Sequence, residues 1–339
     1  MNLHGVMMVR NEADIIEASV RHNLSVLNGL VVVDHGSLDG TREILAELQN
    51  EGLALKVATD RNPGFFQAEE ITLAARDILA QERADFVFPI DADEFIKIRS
   101  RQRLDEVLAS VPQGAHALTS WVTYVPDFGV TRTDRFGPGH LRWRLKQERH
   151  RTSKTVIGRS FIRPTQYVVS GSHLVDDPTG KRPPPHFRLD PEAIALAHCP
   201  VRSAQQLERK IIIGYLAHLA TLPANDQQAF HWRDLYQELK AGGALDAPRL
   251  KDIASNYGLP RDAWLPADTV ELVEDPMRIS VKLRYPPEDA PDTLRLLIRF
   301  VESFLADRKH APLAMGEILE RAHTIRRGLR SDSGGRRRD

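Results

Sequence analysis

The chain has 339 residues with 46 acidic and 46 basic side chains, so its formal net charge is zero. That balance gives no overall pull toward a polyanion such as nucleic acid, and a single cysteine, Cys199, excludes a disulfide framework within the chain. No stretch reaches the roughly 18 apolar residues of a membrane span and Met1 to Arg10 carries no signal-peptide pattern, so the expectation is a soluble, cytoplasmic protein, long enough for a large core plus a further lobe.

Taken in order, Val6 to Val9 is a first apolar strand, interrupted by Arg10-Asn11-Glu12. Asn11 is placed to cap a helix with Ile16, Val20, Leu24 and Leu27 at helical spacing. Leu30 to Val33 is a second strand, ending in the polar turn Asp34-His35-Gly36-Ser37-Leu38-Asp39-Gly40-Thr41, with Asp39 read as the N-cap of the helix carrying Ile44, Leu45 and Leu48. A third strand falls over Leu53 to Val57, and a helix over 67–82 carries Ile71, Ala75 and Ile78. The strand Phe86 to Ile90 then runs into Asp91-Ala92-Asp93-Glu94. Pro89 disfavours a central strand, so a bulge or a local end of pairing is expected there. Strand–helix alternation predicts a mostly parallel sheet with helices on both faces. Ligands of such sheets bind outside the carboxyl ends of the strands, where all three polar clusters fall.

On a strand, Asp91 and Asp93 project to one face. Two carboxylates that close repel unless a cation lies between them, and Mg²⁺ or Mn²⁺ with oxygen ligands meets that need. A solvated acidic turn is the plainer alternative.

Val9-Arg10-Asn11-Glu12, Val33-Asp34-His35-Gly36-Ser37-Leu38-Asp39-Gly40-Thr41 and Ile90-Asp91-Ala92-Asp93-Glu94-Phe95 stand in an order and spacing that resembles family 2-like glycosyltransferases, in the branch with Arg-Asn-Glu in the first turn and Asp-x-Asp after the fourth strand. The resemblance covers the first 100 residues well and the next 100 loosely. It implies a GT-A fold, a nucleotide-sugar donor and a divalent metal, Mn²⁺ or Mg²⁺, at the Asp-x-Asp motif. By the same resemblance Arg10, Asn11, Glu12, Asp34, Arg61, Gln67 and Asp91 are candidate donor contacts, and Asp91 and Asp93 candidate metal ligands, with Glu94 supporting them. One departure stands out: many members have two acids before the turn serine, whereas this chain has Asp34 and then His35.

Further along, Ala117 to Val125 reads as a strand leading to Asp127, the candidate base for an acceptor hydroxyl; Asp176 and Asp177 are rivals, and a turn aspartate is the plain alternative. Arg132 to Arg163 is dense in base, including Arg142, Arg144, Lys146, Arg149 and Lys154; a solvated face is the usual reading, a mobile loop facing a diphosphate or anionic acceptor the functional one. Lys154 to Arg159 and Ser170 to Leu174 are expected as paired short strands. Ile194 to Pro200 is a strand ending in His198, which the resemblance makes the candidate extra metal ligand, with His173 second; no other cysteine exists to build a zinc site with Cys199. Residues 203–240 read as helix, with Lys210 either at the diphosphate or in solvent. Arg249 to Leu259 reads as a helical hairpin, Thr293 to Leu305 as an amphipathic helix packed on the catalytic lobe or a partner subunit, and Ser331 to Asp339 as a disordered tail.

These readings combine into a GT-A catalytic domain over 1–200 (nucleotide-binding over 1–98, acceptor side over 99–200), a helical extension over 201–330 and a tail over 331–339. The expected activity is an inverting, hexosyltransferase-like transfer from a UDP-sugar to a surface glycan, glycoconjugate or its precursor, with no nucleic-acid partner and at most peripheral membrane contact. A metal-dependent phosphoryl- or nucleotidyl-transferase and a silent nucleotide-binding module are the alternatives.

Overall fold

The structure is a computed structural model that describes residues 1–60, 62, 64–129, 136–149, 152–161, 163–180, 183–220, 230–277, 279, 282–285 and 292–306. Arg61, a portion of the Arg132 to Arg163 basic run and the 331–339 tail lie outside the described residues.

Apolar runs bounded by polar turns build the first half. β1 (Leu3–Val9), α1 (Ile16–Leu24), β2 (Gly29–Asp34), α2 (Thr41–Asn50), β3 (Leu55–Thr59), α3 (Gln67–Asp77, continued by a π turn to Glu82) and β4 (Phe86–Pro89) alternate as expected. β3, β2, β1 and β4 are neighbours in that order and all parallel. β1 is buried on both faces. Leu3, Met7 and Val9 join a core with α1 and α2, while Val6 and Met8 pack with Ile71 and Ala75 of α3. This is why the strand reads as a continuous apolar run and not as an alternation.

The second half completes the sheet. β5 (Glu94–Lys97), α4 (Arg101–Ala109), β6 (His116–Thr123), β7 (Trp143–Leu145), β8 (Ser153–Gly158), β9 (Tyr167–Val168), β10 (Val175–Asp176), β11 (His186–Arg188) and β12 (Ala195–His198) follow. The sheet continues from β4 as β8-β6-β12-β5, with β11 beside β6. β8 is antiparallel to both β4 and β6, β12 is parallel to β6, and β5 closes antiparallel to β12. Then come α5 (Ala204–Ala220), α6 (Phe230–Lys240), α7 (Ala247–Ser255), β13 (Leu272–Glu274), which pairs with β7, and a last helix, α8, over 293–306. Leu296 and Phe300 of α8 pack on Ile213 and Ala217 of α5. This is an α/β fold with a mostly parallel sheet between helices and a helical C-terminal region. It is the class expected.

Four local expectations are corrected. Asn11 does not cap α1: the cap position is Ile15, and the Asn11 side chain is drawn away to accept from Leu38 N–H. Asp91 and Asp93 do not share a strand face, because β4 ends at Pro89 and Asp91-Ala92-Asp93 is a tight turn closed by Glu94 N–H on Asp91 O. β8 pairs with β4 only at Phe86 and Val87, so Pro89 sits where pairing on that edge has already stopped. Residues 170–172 are a 3₁₀ turn, and β8 pairs with β4 and β6, not with that segment. The expected hairpin over 249–259 is one helix, α7, followed by a turn.

Candidate active site

The carboxyl ends of β1, β2 and β4 converge, and their loops are tied by side chains. Asn11 N–H donates to Ser37 Oγ at 3.0 Å, and Glu12 N–H donates to Thr41 Oγ1 at 2.9 Å. Asn11 sits at φ 57°, a left-handed backbone that asparagine tolerates. Asp39 is buried; its carboxylate accepts from Ala13 N–H (3.1 Å), Thr41 N–H (3.0 Å) and Thr41 Oγ1–H (2.6 Å). It therefore locks the first two loops together, although Gly40 at φ 102° occupies the helix cap position. Arg10 Nε donates to His35 O at 2.5 Å.

Asp34, at the end of β2, is 1 % exposed. Its Oδ1 accepts from Ser37 N–H, and its Oδ2 has no hydrogen-bond partner among the described residues, with Arg42 Nε at 3.4 Å. Burial raises its pKa against the pull of Ser37 and Arg42. His35, where the sequence resemblance leads one to expect an acid, is buried with Nε2 3.5 Å from Asp60 Oδ2. Burial and then Arg10 lower its pKa to about 3, so it is neutral.

Around the carboxylate turn, each acid has a distinct set of partners. Both Asp91 oxygens are engaged: Oδ2 accepts from Lys154 Nζ at 2.5 Å and Oδ1 from Gln67 Nε2 at 3.1 Å. Gln67 Oε1 accepts from Gly171 N–H, linking α3 to the 170–172 turn. Glu94 is fully buried and accepts from Trp121 Nε1 (2.6 Å) and Asp91 N–H (2.9 Å), with Lys154 Nζ at 3.2 Å. It organises the turn and lies behind it. Trp121 in turn stacks on His198, with ring centroids 4.4 Å apart.

Asp93 is held differently. Its Oδ2 accepts from Lys210 Nζ of α5 at 2.6 Å, with Arg202 Nη1 at 3.8 Å, and its Oδ1 faces His198 Nε2 at 3.8 Å. Burial opposes its charge, but Lys210, His198 and Arg202 outweigh that and hold the carboxyl well below its usual range. Burial lowers the His198 pKa to about 3, against the pull of Asp93. The result is a neutral imidazole and an ionised carboxylate facing each other. His198 Nδ1 has no hydrogen-bond partner among the described residues.

That pair tests whether a divalent metal fits. Two ligand bonds of about 2.1 Å each can end on one ion across such a gap, and a carboxylate oxygen with an imidazole nitrogen is a suitable donor set for Mn²⁺. Asp93 and His198 fit it; no cluster of three or more metal-ligating side chains occurs among the described residues. Asp91, with Lys154 and Gln67 on its two oxygens, does not point a spare oxygen at the pair.

Arg202 is nearly fully buried. It donates to Glu12 Oε2 (2.5 Å) and to Asp14 Oδ2 and Oδ1 (2.5 and 2.9 Å), joining the end of β12 to the first loop. Glu12, expected at the donor, is therefore also the partner of a buried cation, and burial pushes its carboxyl up. Asp127 is exposed, with Oδ1 accepting from Gly129 N–H at 3.0 Å, which is the turn geometry of its plain alternative. Asp176 and Asp177 serve the β9–β10 ribbon and its turn, and His173 Nδ1 bonds Ser153 O. Within the basic run, Lys154 is buried, Arg144 pairs with Asp275 and Arg149 bonds Asn256; these members are structural anchors, not a solvated face. Arg202, Lys154, Trp121 and Tyr257 carry no sequence signal that places them at the site.

The strand order β3-β2-β1-β4 puts the carboxylate turn at the end of the fourth parallel strand, where the sequence resemblance expects the Asp-x-Asp motif. No family model matches the chain, and no curated protein matches it in sequence. Among solved structures, it is similar to a mannosyltransferase from Pyrobaculum calidifontis, in complex with GDP-Man and Mn²⁺, at 15% identity and a TM-score of 0.38, over 77% of this chain and 81% of that one. It is also similar to residues 1–349 of TarS from S. aureus (12% identity, TM-score 0.32, 71% and 72% covered). A third is glucosyl-3-phosphoglycerate synthase from Mycobacterium tuberculosis, in complex with Mg²⁺ and uridine diphosphate (19% identity, TM-score 0.24, 35% and 43% covered). Among the described residues, no helix is long and apolar enough to cross a membrane.

Proposed function

We propose that this chain is a metal-dependent glycosyltransferase of the family 2 type, moving a sugar from a nucleotide-sugar, with UDP-sugars the first donors to test, to a hydroxyl of a glycan or glycoconjugate. The observation that supports it best is Asp93 Oδ1 facing His198 Nε2 across 3.8 Å, in the turn that follows β4. The buried Asp34 Oδ2, which has no hydrogen-bond partner among the described residues and only Arg42 Nε at 3.4 Å, is an acceptor for a nucleobase N–H. Arg10, Asn11 and Glu12 shape the loop beneath the nucleotide, and Asp91, steadied by Gln67 and Lys154, is the candidate ribose contact. Arg61 keeps its place as a donor candidate on sequence grounds.

In the proposed reaction the acceptor oxygen attacks the anomeric carbon. The bond from that carbon to the phosphate oxygen breaks, its electrons leave with the nucleoside diphosphate, and the acceptor proton passes to a carboxylate. Attack opposite the leaving group inverts the centre. Asp127 is the candidate base: one of its oxygens is used by Gly129, and the side chain is exposed on the loop after β6. Mn²⁺ or Mg²⁺, held by Asp93 and His198, would supply positive charge beside the departing diphosphate. Trp121 fixes the His198 ring by stacking, and Glu94 fixes Trp121.

The test is release of nucleoside diphosphate from a panel of nucleotide-sugars with Mn²⁺ or Mg²⁺. Asp93→Ala is expected to lose roughly 10²- to 10³-fold in rate, the scale for removing one electrostatic stabiliser of a transition state. A wild-type rate in Asp93→Ala contradicts the proposal. Asp127→Asn is expected to slow transfer by roughly 10²- to 10⁴-fold with donor affinity unchanged; an unchanged transfer rate removes Asp127 from the mechanism.

A further inference from the structure

Three cations at this site, Lys154 and Arg202 buried and Lys210 half-buried, divide the acids unequally. Lys154 is shared by Asp91 and Glu94, and Arg202 is spread over Glu12 and Asp14 and reaches Asp93 only at 3.8 Å. Lys210 alone makes a short contact with Asp93, at 2.6 Å. Its side chain, 19% exposed, rises from α5 with Nζ 5.6 Å from the centroid of the Tyr257 ring, which also meets the His198 ring in a T-shaped contact. So the cation on Oδ2 and the imidazole facing Oδ1 are steadied by the same tyrosine.

We propose that Lys210 is the resident counter-ion of Asp93 and that it makes metal loading conditional on a diphosphate. In the ligand-free protein its ammonium satisfies Oδ2, and its positive charge opposes the arrival of a divalent ion at Oδ1 and His198. A diphosphate brought beside Asp93 carries two or more negative charges. The lysine, on a flexible four-carbon stem, then turns from the carboxylate to a phosphate oxygen, Oδ2 is released, and the repulsion is screened. Metal and diphosphate therefore bind with positive coupling, and each is weak alone. This rests on the diphosphate-binding reading above, but its first prediction needs neither a sugar nor turnover.

The experiment titrates Mn²⁺ alone by electron paramagnetic resonance into the wild type, Lys210→Met, Lys210→Arg and Lys210→Met/Asp93→Asn, each checked for an unchanged melting transition; Lys210→Gln replaces any methionine variant that fails to fold. Lys210→Met is expected to bind Mn²⁺ at least tenfold more tightly than wild type, Lys210→Arg to match wild type, and the double variant to lose the gain. Calorimetry with inorganic pyrophosphate in EDTA is expected to show at least tenfold weaker binding to Lys210→Met. Unchanged or weaker Mn²⁺ binding in Lys210→Met, or a gain that survives Asp93→Asn, overturns the inference. If no nucleotide-sugar is turned over while the Mn²⁺ gain is seen, the counter-ion role stands and the glycosyltransferase reading falls.

Discussion

At the scale of single residues, what decides this site is how buried charges are shared. Arg202 is the clearest case: a nearly fully buried guanidinium with two carboxylate partners from the first loop. Breaking a buried pair by removing one member leaves an uncompensated charge, typically a loss of about 3–5 kcal/mol. Arg202→Met should lose stability on that scale in urea denaturation, and adding Glu12→Gln and Asp14→Asn should restore some of it. A loss below about 1 kcal/mol would mean the network carries little. Residues of this kind are the least legible in the sequence. Lys154 stands in a run of bases that most simply reads as solvated; a short strand from Lys154 is expected, but nothing local says that it lies buried between β4 and β6 and delivers its ammonium to Asp91. Lys210 has two sequence readings, diphosphate or solvent, and the contact it makes with Asp93 is a third.

At the scale of elements, the three motif-bearing loops are legible because each follows a run of strand-forming residues, and the turn residues that end those runs are the functional ones. The finer geometry is not: Asn11 has the chemistry of a helix cap, but its carbonyl is captured by a neighbouring loop 27 residues on. A second asparagine shows the same long reach. Asn23 of α1 donates to Glu94 O at 3.0 Å and accepts from Ile96 N–H at 2.9 Å, so it pins β5 directly after the carboxylate turn. Buried groups left without partners cost about 1–3 kcal/mol each. Asn23→Leu should therefore destabilise by a few kcal/mol and lower donor turnover by loosening the turn, measured by denaturation and by rate in parallel. Lost stability with an intact rate would separate the pin from the site.

At the scale of the whole molecule, sheet and helical region meet at one place. The first hundred residues supply the three carboxyl-end loops, β6 and β12 supply Trp121 and His198, and the residues after 200 supply Arg202, Lys210 and Tyr257. The same burial sets the pH response. His35 and His116 are depressed, to about 3 and about 4, by burial first and then by Arg10 and His186 respectively. The unfolded chain titrates near the ordinary value of about 6.5 and so binds protons that the folded chain refuses; stability falls as pH drops through that window. His116 Nδ1 accepts from Gly158 N–H, which an asparagine carbonyl can replace. Between pH 7 and 5 the wild type should lose about 2 kcal/mol more than His116→Asn in denaturant titrations; parallel losses would exclude a neutral buried His116.

The most direct test of the site is anomalous diffraction from crystals of the full chain soaked with Mn²⁺ and a nucleoside diphosphate. The account predicts one manganese peak within bonding distance of Asp93 Oδ1 and His198 Nε2, with the diphosphate beside it and Lys210 turned toward a phosphate oxygen. A manganese peak away from that pair, or a diphosphate bound elsewhere while Lys210 stays on Asp93, would contradict it.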